Sequence, residues 1–169
     1  MGWLRRLLGA TPKKELEGIC LDLDQPFWKL TGKTDFPCLL RAIANLLPED
    51  SILYLEGGSP NKELRAFFSR HAVPEREHVA VATLWPRPQC YHVPATRENL
   101  EELAGLAERC AAPELAAHFH VYRQGKVLLE WHDAFTQPML LSAELPKDRV
   151  ESFALALSMS VKRWKNAAG

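Results

Sequence analysis

The chain has 169 residues, enough for one domain with a substantial core and too few for two comfortable ones. Apolar residues make up 47% and charged residues 25%, a globular composition that excludes a disordered chain. Lys plus Arg and Asp plus Glu are both 21, so the basic excess typical of nucleic-acid binders is missing and no nucleic-acid partner is expected, although a local basic patch remains compatible with that balance.

The segment 1–17 reads as an amphipathic stretch followed by a polar connector, and residues 18–169 as a single mixed domain. Trp3, Leu4, Leu7 and Leu8 share one helical face beside Arg5 and Arg6. Two turns make a poor membrane anchor, so packing on the domain or on a second copy is the preferred reading over membrane contact. The apolar run lacks the length and cleavage site of a signal peptide, and Arg6 stands where a myristoylation signal wants Ser or Thr. With Cys20, Cys38, Cys90 and Cys110 in no paired spacing, free thiols in a reducing, cytoplasmic setting are expected.

Residues 18–23 read as a short edge strand, and 24–33 as a loop pinned by Phe27 and Trp28 between Pro26 and Gly32. A helix is predicted from an Asp35 cap with Pro37 just inside, its stripe being Leu39, Leu40, Ile43 and Leu47, and Pro48 ends it. A strand follows over 51–56, stopped by Gly57 and Gly58. Ser59 and Pro60 start a second helix that buries Leu64, Phe67 and Phe68. Residues 78–84 and 89–93 read as strands around a rigid Trp85-Pro86-Arg87-Pro88 turn, with Trp85 a packing residue. Thr96 caps a helix running through Cys110, and Pro113 bars its continuation.

Residues 118–123 and 126–133 flank Gln124-Gly125 and read as a hairpin. A three-residue loop with Gly125 in the left-handed position pairs Tyr122 with Lys126 and His118 with Glu130. Phe119, Val121, Val127, Leu129 and Trp131 then share one face; His118, His120, Tyr122, Lys126, Leu128, Glu130 and His132 share the other. A short strand over 139–142 follows, and a last helix from Pro146 carries Val150, Phe153, Leu157, Val161 and Trp164 at helical spacing to the end. The sum is an α+β fold: a mainly antiparallel sheet of five to six strands, about four helices packed on one face, and room for one parallel pair within 51–84.

The polar face of the hairpin is the best place for chemistry. His118 and His120 point the same way, and Glu130 and His132 do so on the partner strand, a ligand set that suits zinc or iron and leaves room for an activated water. The competing reading is an ordinary solvated sheet face, on which His and Tyr are acceptable, and no cofactor is then expected. Tyr122 and Asp133 are possible loop contacts. Asp133 is read first as a turn former, and as an acid or base second. The Glu56-Gly57-Gly58-Ser59-Pro60 segment lacks the phosphate-binding pattern and reads as a capped helix start. Cys90 and His92 share a strand face but read as core filling rather than a nucleophilic pair.

On these grounds the leading expectation is a non-catalytic interaction module that uses an open sheet face to meet a protein partner or a second copy of itself. The alternative is a metal-dependent hydrolase, or another small-molecule enzyme, using His118, His120, Glu130 and His132.

Overall fold

The computed structural model describes residues 18–80, 88–133 and 136–165. The N-terminal stretch with Trp3 to Leu8, the Trp85-Pro86-Arg87 turn and most of the strand expected over 78–84 lie outside the described residues. The fold is α+β, as expected. Its elements run β1 (Phe27–Thr31), α1 (Phe36–Leu46), β2 (Ile52–Glu56), α2 (Lys62–His71), β3 (Cys90–Pro94), α3 (Arg97–Ala107), α4 (Ala112–Leu115), β4 (His118–Arg123), β5 (Lys126–Trp131), β6 (Met139–Ser142), α5 (Lys147–Ala156) and β7 (Ser160–Trp164). Among the described residues these make one seven-stranded sheet, ordered β3-β2-β4-β5-β6-β1-β7, with every neighbouring pair antiparallel.

Helix starts follow their local chemistry. The Asp35 carboxylate accepts from the Cys38 N–H at 2.8 Å, and Pro37 sits where a missing N–H costs nothing. Thr96 caps α3 through Asn99 N in the same way. For α2 the cap is Asn61, which accepts from Leu64 N at 3.0 Å, and not Ser59. Ser59 N instead donates to Pro113 O. α3 stops at Ala107, short of Cys110, and Pro113 opens the separate single-turn α4.

Two strands replace elements read differently from sequence. Phe27–Thr31, expected as loop, is β1 and lies between β6 and β7. Pro26 and Gly32 bound this strand rather than breaking it. The last helix ends at Ala156 instead of running to Trp164. Leu157 caps it, Ser158 turns the chain at φ +54°, and β7 returns along β1. Leu157, Val161 and Trp164 fit a helical period by spacing, but pairing with β1 sets the actual period of two. The parallel pair expected within 51–84 does not form, because β2 pairs antiparallel with both β3 and β4. The one parallel pairing among the described residues is the isolated bridge between Ile19 and Val79, so residues 18–23 do not make an edge strand.

The β4–β5 turn has two residues, not three. Arg123 pairs with Lys126, and Gln124 and Gly125 take φ +48° and +74°, the two positive angles a tight primed turn requires. The register then shifts between Val121 and Tyr122, where Leu128 is the extra residue on β5. Below the bulge His120 pairs with Glu130, and Phe119 with Trp131, rather than His118 with Glu130. Above it Val127 joins the face away from the helices and Leu128 joins the helix face, the reverse of the expected partition.

The main core lies between the sheet and the helices, with α1 packed on α3 and α5 and α2 on α3 and β3. The opposite face is not open. Ile52, Tyr54, Tyr122, Val127, Phe27 and Leu140 form a second, smaller core there, closed by Leu21 and Val79 and flanked by Ile19 and Leu23. Ile19 N donates to His78 O and Ala80 N to Ile19 O, which joins the two covering segments. No helix among the described residues is long and apolar enough to cross a membrane.

Candidate metal centre

β4 and β5 place His120 directly across from Glu130, and the period of two puts His132 beside Glu130 on the same face. One ligand atom from each of His120, Glu130 and His132 lies within 4.8 Å of the others. All three residues are buried, at 2%, 3% and 6% exposure. The solvated sheet face expected as the alternative is therefore not present at these positions. Leu21, more than a hundred positions earlier in the chain, closes over them, and its N–H donates to Glu130 Oε2 at 2.7 Å. Glu130 Oε1 is hydrogen-bonded to His132 Nε2. A ligating carboxylate held on its second oxygen by a backbone N–H is the kind of outer support that metal sites use.

His118 stands one row away. Its Nδ1 accepts from Asp133 N at 3.0 Å, and its ring centre is 5.6 Å from that of His132. Burial pushes its pKa below the ordinary imidazole value, with the nearby Glu56 carboxylate opposing that shift. The structure thus gathers three of the four predicted ligand residues and sets the fourth beside them. Asp133 takes φ +43°, its carbonyl accepts from Thr136 N and Oγ1, and its carboxylate is half-exposed, 3.9 Å from His118 Nε2. Tyr122 turns the other way along β4, and its hydroxyl is 2.9 Å from His92 Nδ1.

Sequence reasoning missed the contribution of β2. Tyr54 and Glu56 point to the same face as the histidines, because Tyr54 pairs with His120 and Glu56 with His118. Glu56 has no exposed surface and accepts from the Tyr54 hydroxyl at 2.9 Å. That hydroxyl also lies 3.2 Å from Cys90 Sγ, and burial drives the Tyr54 pKa far upward, so it stays protonated. Cys90 and His92 turn to Tyr54 and Tyr122 respectively, which is not the geometry of a thiol–imidazole pair. The glycine-rich segment before α2 serves packing: a Cβ on Gly58 would stand 2.3 Å from Leu115 O.

His92 gives the face a pH signature. Burial lowers its pKa in the folded protein, so the unfolded chain binds the proton first as pH falls. The stabilisation from keeping this ring neutral is complete above the unfolded value, about 6.5, and is lost as pH falls below it towards the folded pKa. Urea midpoints of the wild type should drop more between pH 7.5 and 5.5 than those of His92→Gln, which keeps a polar partner for Tyr122. Equal drops would rule out His92 as the source.

No protein-family model, curated protein or solved structure matches the chain. The site's chemistry therefore rests on its own residues.

Proposed function

We propose that the protein binds a divalent transition metal, zinc or iron(II), through His120, Glu130 and His132. The observation that carries this reading is the convergence of two imidazoles and a carboxylate in a buried place. Burying these groups without a cation is costly, because a carboxylate loses its hydration there. Two nitrogens and one oxygen form a donor set that both zinc and iron(II) accept.

A second reading, metal-dependent hydrolysis of a small molecule, is favoured by the ligand count. Structural zinc sites usually have four protein ligands, whereas three leave a position for water, which the metal would acidify. Glu56, one row along on β2, would supply a carboxylate as the proton acceptor.

The test is metal analysis of protein purified without added metal, followed by zinc titration monitored by thermal melting. About one metal per chain is expected, and a ligand at a hundred times its dissociation constant should raise Tm by about 5–10 °C. An unchanged Tm with both zinc and anaerobic iron(II) would sink the proposal.

A further inference from the structure

The chain's zero net charge conceals a local separation of charge at the edge of the sheet. β7 is the last strand, and in its register with β1 Lys162 stands directly opposite Lys29 and Trp164 opposite Phe27. Side-chain alternation therefore puts Lys29, Lys162 and Trp164 on one face, the side away from the helices. Trp164 is 42% exposed, and each ammonium lies 5.2 Å from its ring centre. Arg163 lies over Trp28 on the other face at 5.3 Å, and the exposed Lys165 follows it.

Elsewhere several basic side chains are paired differently. Arg41, Arg70, Arg109, Arg123 and Lys126 each reach a carboxylate. Among the described residues Lys29, Lys162 and Arg163 have aromatic rings for partners instead. Like charges directly opposite one another across strands repel, and an indole face offsets that only in part. An anion bridging the two ammonium groups would offset it further. Lysines lining an edge strand also discourage another strand from adding there, which argues against a second copy of the chain as the occupant. A part-exposed indole beside two ammonium groups has what a single-stranded nucleic acid needs: a ring for a base to stack on and cations for the flanking phosphates.

We propose that this corner binds single-stranded nucleic acid, with Trp164 stacking on a base and Lys29 and Lys162 contacting phosphates. The proposal stands apart from the metal site and does not depend on it. The probe is a fluorescein-labelled oligothymidylate of about 12 nucleotides, titrated with the full chain and read by anisotropy at about 20 mM salt. Binding should weaken as salt rises. Trp164→Ala should weaken it about tenfold or more, while Trp164→Phe keeps most of it. The Lys29→Gln, Lys162→Gln double variant should weaken binding and flatten the salt dependence. Thermal melting of each variant controls for folding, and the Trp164→Phe arm retains a ring if the alanine variant melts early. Three results would overturn the proposal: no binding of the oligonucleotide, wild-type affinity in Trp164→Ala, or binding of phosphatidylserine vesicles in preference to the oligonucleotide.

Discussion

Glu130→Ala is expected to cost about 3–5 kcal/mol of stability in urea unfolding and to abolish the zinc-induced rise in Tm. Glu130 is 3% exposed, accepts from the Leu21 N–H at 2.7 Å and bonds the His132 ring. Alanine removes the acceptor that a buried backbone donor and a buried imidazole use here, and with it the hydrogen bond that ties the covering segment to β5. Glu130→Gln separates these roles. Its carbonyl oxygen can still accept from Leu21 N, and its amide can donate to His132 in the opposite tautomer. The glutamine variant should therefore lose little stability in metal-free buffer but lose the response to zinc, because a neutral amide is a far poorer ligand than a carboxylate. A glutamine variant that still gains the full wild-type increment with zinc would remove Glu130 from the ligand set. An alanine variant as stable as wild type would show that the Leu21 contact does little to hold the cover in place.

The parts of this fold that were legible in the sequence are those fixed by near neighbours. Asp35 and Thr96 cap helices three residues ahead of themselves, and the short strand 139–142 lies between turn residues. β1 and β7 were not legible, because each becomes a strand by pairing with the other from the far end of the chain. The same division runs through the site. A two-residue loop alone would set the histidines opposite Leu129 and Trp131, but the extra residue Leu128 shifts the register by one and brings Glu130 and His132 back to the histidine face, so that face survived an error in the loop. The exchange of Val127 and Leu128 did not, since it depends on a bulge that no local signal announced. Burial of the site was hidden as well. It comes from Leu21, which is 109 positions from Glu130, and from Tyr54 and Glu56, which reach the site only because β2 lies beside β4. Composition hid the basic corner in the same way: the chain totals balance, and only the β1–β7 register brings Lys29 against Lys162.

Support of the candidate metal centre from the helix side leads to a second large effect, at Trp131. Its side chain points into the main core from the β5 position between Glu130 and His132, whose side chains point the other way. It is 2% exposed, donates from Nε1 to Gln137 O at 2.9 Å, and meets the Phe36 ring edge-on at 5.9 Å. Trp131→Ala should cost about 3–5 kcal/mol, since the surroundings collapse only partly into so large a space. It should also weaken zinc binding, because ligands must be held to about 0.5 Å and β5 would lose the ring contact with Phe36 of α1 that lies between two of them. Phe153→Ala on α5 is the control. That ring is also buried in the main core, but it sits on α5, whose main packing is against α1 and β7, so a comparable loss of stability should leave the zinc affinity near wild type. Equal loss of affinity in both variants would point to general loosening of the domain. Full affinity in Trp131→Ala, at the expected loss of stability, would show that β4 and β5 hold the three ligands without support from the helix layer.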